Sequence, residues 1–203
     1  MISAKIKLSD SELSLVCDAD FILTKNRIIE KVYMLFGALS EELQPPLQAM
    51  QRILPPEIYS YSPKIYRGEK YRELPYVMLD YPRCFVNGDV FAIRFLFWWG
   101  NQFSITLHLG GKYAEQYAEL IIYNVLKKND DRWFVCIGKS QWEHHFEPDN
   151  FIQVGNISAD AILETACQNG FIKIAQKLPL EQWNNALLFF TEINKEILNL
   201  LIR

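Results

Sequence analysis

No stretch of this chain is apolar for long enough to cross a bilayer. The densest, Phe91 to Trp99, includes Arg94 and is half the length of about 18 residues that a helical span needs. The N-terminus, Met1 to Lys7, lacks the apolar segment of a secretory signal, so export is not expected. Glycine and proline, nine of each in 203 residues, are too sparse for a linker or low-complexity tract, and no internal repeat is visible. Positive charge is not in excess either: 21 Lys and Arg face 24 Asp and Glu, a net charge of −3. That balance argues against a nucleic-acid partner. The four cysteines, Cys17, Cys84, Cys136 and Cys167, lie far apart with no C-x-x-C pair, which excludes a structural zinc motif. They read as four buried, reduced thiols of a cytoplasmic protein. A nucleophile elbow, a G-x-G-x-x-G turn and a paired acidic motif are all missing, so no catalytic residue and no cofactor is assigned.

What the chain does have is the composition of a folded protein, 50% hydrophobic, 22% charged and 14% aromatic. Its length suits one domain, which would bury roughly 70% of the unfolded surface without a metal or disulfide staple. The expectation is a single α+β domain over 1–203, with a helical part at about 9–52, a sheet at about 58–109 and a mixed part at 111–203.

The helical part begins with a capping box, Ser9 with Glu12. Thr24 then caps a longer helix with the apolar stripe Ile28, Ile29, Val32, Leu35, Phe36, Leu39 and Leu43, and Pro45-Pro46 stops it. From Tyr59 the apolar period changes to two. Strands are expected near Ile58–Tyr66, Pro75–Tyr81, Val90–Trp99 and Gln102–Leu109, with Asn87-Gly88 and Gly100-Asn101 as hairpin signals. Connections this short make an antiparallel meander. A middle helix follows from Lys112 to about Lys128, then short strands at Trp133–Ile137 and Phe151–Val154, with a loop at 138–150 between them. Ser158 caps another helix ending at Asn169-Gly170, and Phe171–Lys177 reads as a strand. Pro179 opens a long C-terminal helix whose polar face is so narrow that it must be buried on most sides, in its own sheet or in a homodimer.

Strand register carries the functional argument. Val90–Trp99 alternates Phe91, Ile93, Phe95 and Phe97 against Ala92, Arg94, Leu96 and Trp98; Gln102–Leu109 alternates Phe103, Ile105, Leu107 and Leu109 against Gln102, Ser104, Thr106 and His108. A slip of one residue sends every side chain to the other face. A three-residue loop, Trp99-Gly100-Asn101, unites the two apolar sides, and at ~25 cal/mol per Å2 that gain outweighs any preference among turn types. Arg94 then lies beside Thr106, with His108, Ser104 and Trp98 on the same face. Arg94 offers a fork for a carboxylate or phosphate, His108 a switchable donor or acceptor, and Trp98 a stacking surface. Asp80 is the local partner for Arg94 if Pro82 marks a bulge; otherwise parity through the Asn87-Gly88 turn sends Asp80 to the apolar side.

Three other features have weaker readings. Trp142-Glu143-His144-His145-Phe146-Glu147 contains metal-binding types, but adjacent histidines diverge, so a solvated loop is the better reading and no metal site is assigned. Gly110-Gly111-Lys112 fails the Walker pattern and is explained by helix capping, though free N–H groups there would help Arg94 hold an anion. Six tyrosines between Tyr59 and Tyr81, interleaved with Lys64, Arg67, Lys70, Arg72 and Arg83, suit a protein interface better than nucleic acid. The expected function is a non-catalytic module binding a small polar or anionic ligand, or a protein, at Arg94, His108, Thr106, Ser104, Trp98 and Asp80. The alternative is a hydrolase or transferase with His108 as general acid/base and Arg94 as anion stabiliser. Nucleic acid and membrane are not expected partners; a homodimer through the C-terminal helix is.

Overall fold

A computed structural model describes residues 6–202. Its centre is a seven-stranded antiparallel sheet in the order β1-β2-β3-β4-β7-β5-β6. Strands β1 (Lys64–Tyr71), β2 (Leu74–Val86), β3 (Asp89–Trp98) and β4 (Gln102–Gly110) form the meander, and β7 (Phe171–Pro179) pairs with β4 before the short strands β5 (Phe134–Cys136) and β6 (Phe151–Gln153). The architecture is α+β.

The β3–β4 hairpin has the register that unites apolar sides: Phe97 pairs with Phe103, Phe95 with Ile105, Ile93 with Leu107 and Arg94 with Thr106. Helices then cover the apolar face. Helix α2 (Ala19–Glu42) contributes Ile29, Val32, Phe36 and Leu39; α4 (Lys112–Lys128) contributes Tyr113, Tyr117, Ile121 and Val125. Helix α6 (Ala186–Leu200) places Phe190 against Phe36, Phe95 and Phe103 at ring-centroid distances of 5.9, 5.4 and 5.8 Å. Its apolar stripe is therefore consumed mainly by the chain's own sheet, leaving Leu187 and Leu188 exposed.

Several sequence expectations shift. The cap of α2 is Asp18, whose side chain accepts from Phe21 N, and Thr24 lies inside the helix. Helix α3 (Gln44–Ala49) takes both prolines into its first turn. The segment expected as one strand over 58–66 is a 3-10 turn, Pro56–Tyr59, and β1 starts only after Pro63. The C-terminal helix is shorter, because Pro179 ends β7 and a 3-10 stretch, Leu180–Asn185, precedes α6. Only Cys84 and Cys136 are buried. Cys17 is exposed on α1 (Asp10–Cys17), a helix with no buried residue, and Cys167 is exposed on α5 (Ala159–Asn169). Among the described residues no helix is long and apolar enough to cross a membrane.

Candidate functional site: a roofed polar face

The opposite face of the sheet is built in cross-strand rows. One row runs Asp80, Arg94, Thr106, Ala175; the next runs Ala92, His108, Lys173; a third runs Met78, Leu96, Ser104, Lys177. Period two on four antiparallel strands makes this assembly, since each side chain shares its face with its cross-strand partner. Asp80 joins through a bulge: pairing skips from Arg83 with Ala92 to Asp80 with Arg94, so two β2 residues oppose one on β3. Without that extra residue, Tyr81 would face Arg94. The six residues singled out from sequence, Asp80, Arg94, Trp98, Ser104, Thr106 and His108, thus share one face, and all six are buried.

Burial is the surprise. Residues 138–150, expected as a loop and solvated around 142–147, fold over this face as a roof. Lys173, which is buried, donates to the backbone carbonyls of Gln141 (3.3 Å) and Glu143 (2.5 Å). Phe146 stacks on Phe151 with centroids 4.7 Å apart. Trp142 lies 5.4 Å from the Arg94 guanidinium and 5.6 Å from the His108 ring. Buried donors of the sheet and unpaired carbonyls of the loop satisfy one another, which is why the loop closes.

Arg94 is already paired. Its Nε donates to Asp80 Oδ1 at 2.9 Å and one terminal nitrogen to Asp80 Oδ2 at 3.3 Å, while Tyr66 Oη donates to Asp80 Oδ2 at 3.2 Å. The guanidinium lies against the Phe85 and Trp142 rings, 5.5 and 5.4 Å away, which stack on one another with centroids 6.4 Å apart. Its other terminal nitrogen, Nη1, makes no hydrogen bond among the described residues. Burial opposes the Arg94 charge, but Asp80 and Tyr66 outweigh it and the pKa is raised.

His108 is fully buried, and its Nε2 is 2.9 Å from Gln141 Oε1. An amide oxygen only accepts, so Nε2 carries the proton and Nδ1 is a bare acceptor, buried without a partner. Burial first, then Arg94 and Lys173, push its pKa down to about 3. Lys173 is lowered to about 8, chiefly by burial. Neither ring nitrogen has a carboxylate or a nucleophile hydrogen-bonded to it among the described residues. His108 braces the roof.

Two openings remain beside Arg94. The larger cleft, about 530 Å3, is lined by Tyr71, Tyr76, Lys70, Trp142, His144 and Arg94 among others. A smaller one of about 240 Å3 lies across Tyr66, against Lys64, Arg83, Phe85 and again Arg94 and Trp142. The cleft wall thus comes from the tyrosine-rich segment and the roof, and of the six sequence candidates only Arg94 lines the larger opening and only Arg94 and Asp80 the smaller. Trp98, Ser104, Thr106 and His108 are buried on the same sheet face and line neither opening. The signal for the missed residues was the density of tyrosines between 59 and 81, read as a protein-interface feature because the roof could not be foreseen. Gly68 shapes the cleft: a Cβ there would lie 2.5 Å from Tyr76 Cε1.

The Gly110-Gly111 helix start contributes nothing to Arg94. Lys112 N is capped by Asp89 Oδ1 at 3.0 Å, and that carboxylate occupies the position an anion would take. Compared with protein-family models, curated proteins and solved structures, the chain matches none.

Proposed function

We propose that this protein is a non-catalytic binding module of the cytoplasm that takes a small, planar, anionic ligand in the cleft between β1, β2 and the roof. The observation that carries the reading is Arg94 Nη1, which makes no hydrogen bond among the described residues. It belongs to a guanidinium whose other edge is locked by Asp80, and Arg94 lines the cleft together with Tyr71, Tyr76, Trp142 and Lys70. A guanidinium held rigid on one side loses little freedom when it grips an anion with the other. Rings around it supply stacking for a planar body. His144, a cleft residue whose pKa is driven well below the ordinary value by burial and then by Arg94, stays neutral and offers the ligand a polar contact.

A thermal-shift screen with mononucleotides, aromatic carboxylates and inorganic phosphate tests this. A ligand at about 100 times its Kd stabilises by ~2.7 kcal/mol. The expected result is a rise in Tm with a planar anion, smaller with phosphate, and abolished by Trp142→Ala, a substitution at a half-exposed roof position. A screen without any shift, or a shift that Trp142→Ala leaves intact, overturns the reading. The homodimer is a separate part of the proposal, restricted to the edge of α6 that carries Leu187 and Leu188; light scattering at 23.8 kDa would remove it.

A further inference from the structure

We propose that His145, Glu147 and Asp149 form a binding site for one divalent transition-metal ion, on the outer side of the roof and behind Tyr71. His145 Nε2 faces outward, 3.2 Å from Asp149 Oδ1 and 3.8 Å from Glu147 Oε2. The three ligating atoms all lie within 4.8 Å of one another. Metal–nitrogen and metal–oxygen bonds of about 2.0–2.2 Å put donors on a common ion roughly 3 to 3.6 Å apart. The histidine edges are therefore near their bound lengths, and only the two exposed carboxylates need to close in. Imidazole with two carboxylates is a donor set for zinc, iron(II) or manganese(II) rather than for calcium or copper(I).

The hydrogen bonds hold the imidazole in place for a cation. Tyr71 Oη accepts from the backbone N–H groups of His144 (2.7 Å) and His145 (3.1 Å). Its single proton has two candidate acceptors, Glu143 Oε2 at 2.8 Å and His145 Nδ1 at 2.9 Å. An ionised carboxylate is the stronger acceptor, so the proton goes to Glu143. Nδ1 of His145 is thus held by Tyr71 Oη, with Glu143 Oε2 3.3 Å away. Nε2 of His145 is held against Asp149 Oδ1 by a 3.2 Å hydrogen bond, so the imidazole already points at the two carboxylates, and a metal ion would take the place of the shared proton. A hydrogen-bonded group behind the distal nitrogen, here the Tyr71 hydroxyl at Nδ1, is the kind of support that orients a ligating histidine.

Rigidity and charge agree with this. His145 is buried, and its backbone carbonyl accepts from the buried Asn150 side chain. The imidazole is thus fixed before any ion arrives. Glu143, Glu147 and Asp149 with Arg72, which pairs with Glu147 Oε2 at 3.0 Å, sum to −2. Arg72 occupies the place of the ion's charge at one ligand, so it competes with metal.

The competition makes the test two-sided. Purified, chelator-treated protein is titrated with Co2+ or Zn2+ and followed by the cobalt d–d spectrum, by calorimetry and by 15N shifts of the histidine rings. One equivalent is expected, with His145 in the Nδ1–H tautomer and Nε2 shifted by the ion. Asp149→Asn, at an exposed position, is expected to weaken binding at least tenfold, and Arg72→Ala to tighten it several-fold. Absence of saturable one-equivalent binding overturns the proposal. So does binding that Asp149→Asn leaves unchanged, or a His145 ring whose Nε2 shift does not respond.

Discussion

Replacing Asp80 by alanine leaves the Arg94 guanidinium under the roof without its carboxylate. Arg94 and Asp80 are 7% and 3% exposed, and the pair is joined by two hydrogen bonds of 2.9 and 3.3 Å. The remaining neighbours of the guanidinium are Tyr66 Oη at 3.4 Å and two ring faces, none of which carries negative charge. Breaking one side of a buried pair costs about 3–5 kcal/mol, because the surviving ion keeps its desolvation penalty. For a chain of this size each kcal/mol shifts Tm by about 2–4 °C, so a fall of roughly 6–20 °C is expected by calorimetry. The double variant Asp80→Leu with Arg94→Met removes both charges and is expected to recover most of that loss, since an apolar pair of similar volume needs no solvation. A single-variant cost below about 1 kcal/mol, the range of solvated surface pairs, would refute the reasoning. The guanidinium would then be hydrated, and the rigid fork on which the ligand proposal depends would not exist.

Two further outcomes are expected. His108 is protonated only near pH 3 in the folded protein but near its ordinary value of 6.5 when unfolded. Between those values the unfolded chain binds the extra proton, so stability is complete above about pH 6.5 and falls as pH drops toward 3. His108→Gln should flatten part of that decline in Tm against pH, the rest belonging to His144, shifted in the same direction, and to carboxylates held low by their partners, such as Glu57 and Asp130; a curve of unchanged slope would contradict the burial of a neutral imidazole. Gly68→Ala should push the Tyr76 ring into the cleft, given a Cβ 2.5 Å from Tyr76 Cε1, and should remove ligand-induced stabilisation while far-ultraviolet circular dichroism stays unchanged. Retained ligand response in that variant would place the ligand elsewhere.

Legibility from sequence followed the range of the interactions that decide each feature. The β3–β4 register was readable because it depends on two neighbouring strands and one quantity, the apolar area gathered on one side; Phe97 beside Phe103 and Arg94 beside Thr106 follow from it. The Asn87-Gly88 turn was equally local, both residues taking positive φ in a two-residue hairpin. The β1–β2 hairpin was not, because its turn residues are Arg72 and Glu73, which take positive φ (48° and 64°) without any glycine to signal it.

The place of Asp80 was undecidable because a bulge at 81–82 competes with unbroken pairing by a margin set by the burial of a carboxylate beside a guanidinium on the next strand. The roof lay further out of reach. Its closure is driven by Lys173 on β7 meeting carbonyls at 141 and 143, and by Tyr71 on β1 meeting amides at 144 and 145, contacts that span 30 to 74 residues. Alternation of residue types therefore determined which side chains share a face. Only the tertiary structure decided whether that face meets water or a lid, because coverage depends on hydrogen bonds between segments whose separation no local pattern encodes.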